Sequence, residues 1–304
     1  RELMNDGSTV AVVTELAHTE SLDATSGPRM RRLRFFAPSK CGGFLDSSEV
    51  QSETKLDASG EPDCTCLSLP YHRIMAACTC WHRSADNRRR RNGRILVIGG
   101  GGGCVARYLN ATLRTTVDVV EVEPAVVGIA QKFFTSSGAL PADLTWHTED
   151  GVSFVARHAA QSSAFDAVIV DVSHTSDRGH VSRTSAAPVD TWDMAAPSPE
   201  IVAPAVLSGL ASLTRCVLIN VLPSELDNTG CSTNEDCGPG STGPQSSEVA
   251  ERSVQRIARL LSAAGFTSVD ELQAEAVSNR VLLCRHSVSD PARERLKGMN
   301  GHEL

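Results

Sequence analysis

RILVIGGGGG (Arg94 to Gly103), followed by VVEVEP (Val119 to Pro124), is the stretch from which the fold of this chain can be read. An apolar strand runs into a glycine loop and a helix, and a second apolar strand ends in acids. That is the pattern of a βαβ unit that holds a nucleoside. Glycine in such a loop lets the backbone approach a ligand, because a Cβ would collide with it. Glu121 or Glu123, at the end of the second strand, can take both ribose hydroxyls with one carboxylate. The unit alone leaves the ligand open. Gly101, Gly103 and Ala106 satisfy the G-x-G-x-x-A spacing of NAD binders, but a run of five glycines matches many patterns, and an adenosyl sulfonium fits the same unit.

Around this unit the pattern alternates between strand and helix, which implies a parallel sheet. Strands are expected at 94–98, 117–122, 144–148, 165–171 and 215–221, with helices near 103–113, 124–136, 151–160, 198–213 and 247–264. Two last strands, 267–274 and 280–286, are separated by a short turn containing Ser278 and Asn279 and should pair as an antiparallel hairpin. The fold class is therefore α/β. Five parallel strands finished by a hairpin give a Rossmann-like, seven-strand methyltransferase sheet rather than a six-stranded NAD domain. Ahead of it, 8–17, 31–36 and 48–53 cluster β-formers between turn-rich segments, as antiparallel strands do, and a short helix is expected around Tyr71 to Cys80. The expected organisation is a small N-terminal β region over 1–83, the sheet domain over 84–290 and a tail over 291–304.

Composition narrows the function. With 304 residues the chain can bury a sizeable core, and its net charge of −7 argues against a nucleic-acid partner, whose footprint would be basic. The run Arg88 to Arg91 sits in a polar segment before the first parallel strand and reads as a solvated linker. No apolar run reaches the length of a membrane span, and no apolar signal segment opens the chain, so a soluble, cytoplasmic protein with reduced thiols is expected. Arg1 as first residue fits a trimmed chain. Cys64 with Cys66, and Cys78 with Cys80, have His72 and His82 nearby, but zinc knuckles prefer C-x-x-C spacing, so no metal is expected. The CSTNEDCGPGSTGP stretch from Cys231 reads as a surface insertion.

Two further carboxylates stand where strands end. Asp150, followed by Gly151, can accept the adenine amino group at the lip of the sheet or cap the next helix. Asp171, closing FDAVIVDVSH (Phe165 to His174), emerges at the carboxyl edge where ligands sit in such sheets.

GGGGG, VEVEP, EDG and FDAVIVDVS, in that order and spacing, resemble the spermidine synthase-like branch of the class I methyltransferases. RRLRFF followed by EVQSE, the YHRIM segment, AAPSPEIVAPAVLSGLASL and the terminal NRVLLCRH bring it nearest the elongation factor 1-alpha methyltransferase family, in the manner of the C-terminal half of methyltransferase-like protein 13. The resemblance covers most of 30–290. It implies S-adenosyl-L-methionine as cofactor, with Gly99, Gly101 and Gly103 under its methionine part, Glu121 on the ribose with Glu123 beside it, Asp150 on adenine, and Gln51 reaching over from the N-terminal region. It also implies a protein substrate of the elongation-factor kind. Polyamine synthases carry an acid within the glycine loop and another shortly after the position of Asp171; here the loop is GGGGGC and the later position is His174. The N/D-P-P-Y signature of many amine methyltransferases is also missing, so either Asp171, Ser173 and His174 or a substrate-recruiting loop must do its work. The expected activity is methylation of a protein amine, with Asp171 and His174 as catalytic residues. An aminopropyltransferase or a non-catalytic nucleoside-binding module is the alternative.

Overall fold

The computed structural model describes residues 2–3, 10–17, 29–38, 44–46, 50–85, 93–136, 143–161, 164–173, 194–223, 246–273 and 279–286. The sheet grows from the apolar runs. Strand β6 (Arg94–Ile98) turns Ile95 and Val97 into one core cluster and Leu96 and Ile98 into another, and β9 (Ala167–Val170) divides its four buried residues the same way. A strand buried on both faces is apolar at nearly every position, which is why these stretches read as continuous runs rather than alternations. Each valine, leucine or isoleucine among them contributes about 1.5–3 kcal/mol by leaving water.

The strands β6, β7 (Thr116–Glu121), β8 (Leu144–Thr148), β9 and β11 (Cys216–Pro223) are parallel, and β12 (Ser268–Gln273) with β13 (Arg280–Arg285) forms the antiparallel hairpin, in the order β12-β13-β11-β9-β6-β7-β8. Helices α1 (Pro70–Ala85), α2 (Cys104–Leu113) and α3 (Pro124–Phe133) contribute to one core cluster. Helices α4 (Gly151–Ala160), α5 (Pro204–Leu213) and α6 (Ser246–Ala263) contribute to the other. The seven-strand sheet expected from sequence is present, with an unexpected addition: the short β10 (Met194–Ala196) pairs antiparallel to β11. Three residues between polar segments carry no periodicity by which to find them.

Other boundaries shift for identifiable reasons. Helix α5 starts at Pro204 rather than 198, with proline in its first turn where the missing N–H costs nothing. The N-terminal sheet contains β1 (Glu2–Leu3), β2 (Val10–Ala17), β3 (Arg29–Pro38), β4 (Phe44–Asp46) and β5 (Ser52–Lys55), the last displaced from the expected 48–53. This sheet packs on α3 and α2. Helix α1, within the segment assigned to the N-terminal region, lies against β11 and β13 of the large sheet. The C-x-C pairs do not lie in strands: Cys64 is in a turn, Cys66 follows it, and Cys78 and Cys80 ride on α1, where burial pushes the Cys78 thiol up to about 12. The seven described cysteines are free. No helix among the described residues is long and apolar enough to cross a membrane.

The chain goes from β6 to β7 on one side and returns to β9 on the other, so the crevice of the sheet opens at the carboxyl ends of β6 and β9. There Asp171 N–H donates to Ile98 O at 2.8 Å. Gly99 follows with φ +89°, and a Cβ on it would overlap the Asp171 carbonyl. Gly99→Ala should therefore cost about 3 kcal/mol or more, since an alanine there combines positive-φ strain with a backbone clash. Urea denaturation will measure this, and a loss under 1 kcal/mol would show that the strand ends can move apart.

Away from the crevice, Asp118 of β7 is 2% exposed and accepts from Arg94 Nε (2.6 Å) and Nη2 (3.0 Å) and from His147 Nε2 (2.8 Å). Burial pushes its carboxyl up, but the Arg94 and His147 hydrogen bonds outweigh burial and hold it below the ordinary aspartate value. A carboxyl lowered in the folded state adds stability that is present above the unfolded value of about 3.9 and is lost as pH falls through the lower, folded value. Acid titration of the unfolding free energy should show this loss, and Asp118→Asn should flatten it.

Candidate active site

At the end of β6 the glycine loop spends its backbone donors internally. Gly99 N–H goes to Val120 O (2.9 Å), Gly100 and Gly101 to Glu121 Oε2 (3.0 and 3.3 Å), Gly102 to Ser52 Oγ (2.8 Å) and Gly103 to Gly100 O (2.7 Å). The glycines are required by the protein's own atoms as much as by any ligand. A Cβ on Gly100 or Gly103 would strike the Trp146 ring, one on Gly101 would lie 2.8 Å from Ser52 Oγ, and one on Gly102 would lie 2.9 Å from both Phe134 Cδ1 and Ser52 Cβ.

Beneath and beside this loop is a cavity of about 630 Å³. It is lined by Gln51, Gly99, Gly101, Glu121, Glu123, Asp150, Gly151 and Asp171, so the structure gathers these sequence-identified residues around one space. Gly103 is an exception: it does not line the cavity, and it precedes α2 over Trp146 with φ +72°. His174 lies outside the described residues.

Glu121 ends β7 with its carboxylate turned back under the loop, accepting from Gly100 and Gly101 on one oxygen and from Glu123 N–H (3.1 Å) on the other. Burial pushes its carboxyl above the ordinary glutamate value, and the charge of Glu123 adds to this, against the three backbone donors. Glu123 is 7% exposed and caps α3, accepting from Ala125 N–H at 3.3 Å. Asp150 caps α4, accepting from Ser153 N–H (2.8 Å) and Oγ (2.9 Å), while remaining at the cavity lip. Between Glu121 and Glu123, Val122 is 63% exposed although apolar, and it lines the cavity together with Val152 and Ile201.

Asp171, at the end of β9, is the acid of the cavity held wholly by side-chain partners. Its Oδ1 accepts from Asn220 Nδ2 at 2.8 Å, and Asn220 Oδ1 accepts in turn from Asn279 Nδ2 at 3.0 Å. Its Oδ2 accepts from Tyr71 OH at 3.4 Å and from His72 Nε2 at 3.2 Å. A carboxylate can only accept, so His72 carries its proton on Nε2, which leaves Nδ1 buried without a hydrogen-bond partner. On the other wall, Ser173 Oγ reaches Gln51 Oε1 at 3.5 Å. Tyr71, His72, Asn220 and Asn279 were not selected from sequence. Two lie in the YHRIM segment, and Asn220 is the lone polar residue in the buried run CVLINVL, a signal that sequence reading can use.

Five carboxylates line the cavity (Glu121, Glu123, Asp150, Asp171 and Glu200), and among the described residues no lysine or arginine does. No group of three or more His, Cys, Asp or Glu side chains among the described residues is placed to hold a metal ion.

Residues 70–183 match the family model of the spermine/spermidine synthase domain. No curated protein sequence matches the chain. Among solved structures, human methyltransferase-like protein 13 in complex with SAH superposes with a TM-score of 0.53 at 18% identity, over 76% of this chain and 89% of that one. This is the class I methyltransferase fold. A probable spermidine synthase from Corynebacterium glutamicum superposes with a TM-score of 0.52 at 11% identity, over 93% of this chain and 79% of that one. The family match begins at the first residue of α1 and so includes Tyr71 and His72 with the glycine loop and Asp171.

Proposed function

We propose that this chain is an S-adenosyl-L-methionine-dependent methyltransferase acting on an amine of a protein. The observation that carries the reading is the charge of the cavity, with five carboxylates and, among the described residues, no arginine or lysine. A dinucleotide brings a pyrophosphate that needs free backbone N–H groups at the loop. Here the loop's N–H groups already have acceptors, two of them on Glu121. A nucleoside bearing a cationic sulfonium and no phosphate suits such a cavity, and SAH in the human relative supports that class of ligand.

The residues present fit this cofactor. Glu121 Oε1, with one backbone donor, keeps acceptor capacity for ribose hydroxyls. Val122, Val152 and Ile201 offer apolar surface for adenine, and Asp150 stands at the lip for its amino group. The cofactor supplies a methyl group already activated by the positive sulfur, so the protein has chiefly to align an uncharged amine with it. Asp171, its plane fixed by Asn220, Tyr71 and His72, orients the amine by accepting one N–H and receives the proton the amine must shed, directly or through water.

Aminopropyl transfer is disfavoured by the loop. Polyamine substrates carry two ammonium groups, and an acidic side chain at any of the five loop glycines would have to displace Asp171, Trp146, Ser52 or Phe134. The loop itself therefore offers no side-chain counter-charge to the second ammonium. The elongation-factor-like target is carried over from the family resemblance.

Calorimetry with S-adenosylhomocysteine should show binding by the wild-type chain and a loss of tenfold or more in Glu121→Ala, because each charge-assisted hydrogen bond contributes about 1.5–3 kcal/mol. Affinity should also fall as pH is lowered, beginning above the ordinary glutamate range, since the raised carboxyl of Glu121 protonates there and loses an acceptor. Unchanged affinity in Glu121→Ala would remove the ribose assignment.

With labelled S-adenosyl-L-methionine and a cell lysate, the wild-type chain should methylate a protein, and Asp171→Asn should be slower by about a hundredfold while binding cofactor within tenfold of wild type. Aminopropyl transfer from the decarboxylated cofactor to putrescine at a comparable rate would overturn the proposal.

A further inference from the structure

We infer that Ser52 is the positioning residue of the glycine loop, through which the N-terminal sheet holds the loop in its binding shape before any ligand arrives; its consequence for affinity rests on the cofactor reading above. The other backbone donors of the loop find acceptors inside the βαβ unit itself, on Val120, Glu121 and Gly100. Gly102 is different. Its N–H donates to Ser52 Oγ at 2.8 Å, a bond buried from solvent that links residues fifty apart in sequence.

Ser52 is 3% exposed and opens β5, opposite Leu33 of β3. The preceding backbone is anchored as well, since Gln51 N–H donates to Leu33 O at 2.9 Å. The contact is tight in both directions. A Cβ on Gly101 would lie 2.8 Å from Ser52 Oγ and one on Gly102 would lie 2.9 Å from Ser52 Cβ, with Phe134 closing on Gly102 from α3's end. The loop is thus gripped between Ser52, Phe134 and Trp146. The N-terminal sheet that carries Ser52 is itself tied to the large domain, through Arg31 Nη1 on Phe133 O.

Serine suits the position because the Gly102 N–H is buried and needs an acceptor, and a short hydroxyl is what fits beside two glycines. Alanine keeps the packing and removes the acceptor, so a buried donor is left unsatisfied. Such a change acts on the order of the loop rather than on the core.

The test is amide hydrogen exchange of the peptide covering 99–105, read by mass spectrometry on the ligand-free full chain, with calorimetry of S-adenosylhomocysteine on the same proteins. Ser52→Ala should speed exchange in that peptide about tenfold or more, leave exchange in β11 unchanged and weaken affinity about tenfold. Ser52→Thr, which keeps the hydroxyl, should restore part of both. Loop exchange in Ser52→Ala within twofold of wild type would overturn the inference, as would a uniform rise in exchange across the chain, which would make Ser52 an ordinary stability residue. If wild type fails to bind S-adenosylhomocysteine, the cofactor reading falls, and the exchange of the ligand-free loop still decides the role of Ser52.

Discussion

The close approach of two strand ends governs this site. Ile98 and Asp171 are joined by a backbone hydrogen bond, and Gly99 leaves β6 against the carbonyl of Asp171 with no room for a side chain. Because β6 and β9 are paired along their length up to this contact, the glycine loop and the Asp171 carboxylate are held at one crevice. The remaining parts are arranged around that fixed pair. Helix α1 brings Tyr71 and His72 to one oxygen of Asp171, and β11 brings Asn220 to the other. Glu121 arrives from β7, next to β6 in the sheet.

What could be read from sequence follows from this arrangement. Strands buried on both faces leave long apolar runs, so β6, β7, β9 and β11 were visible to within about two residues, and the acids Glu121 and Asp171 at two of their ends stood out against them, while the half-exposed edge strand β8 was legible from its β-formers after a turn. Side chains that act across the chain leave no local trace. Tyr71 and His72 meet Asp171 only because α1 packs on the large sheet, and His72 in sequence is one histidine among nine. Asn220 was legible in principle, being a polar break in a buried strand. The glycines were visible, but their physical reason was not. Sequence reading assigns their missing Cβ atoms to a ligand, whereas Trp146, Phe134, Ser52 and Asp171 already fill those places.

The same contrast separates acids that sequence treats alike. Glu121 and Glu123 are two residues apart at one strand end, and either could be drawn on a ribose. Glu123 is largely buried as the cap of α3, while Glu121 is bound beneath the loop and pushed toward its neutral form by burial. Asp150 combines a capping role with a place at the cavity lip, so the structural and binding readings of that aspartate are compatible.

On the ribose assignment, Glu121 would link loop order to occupancy. Its carboxylate is the acceptor for two loop N–H groups, and burial raises the free energy of its charged form. Hydroxyl donors from a ribose would stabilise that charged form, and the charged form is the better acceptor for the loop. Ligand and loop would then reinforce each other through one side chain. Ser52 differs in kind: its hydroxyl is neutral, so the charge state that couples Glu121 to a ribose does not enter its bond to Gly102. A tie that strengthens on binding beside one insensitive to charge would give the loop a defined shape at rest and a tighter one when filled, while Asp171 keeps its own donors on Asn220, Tyr71 and His72.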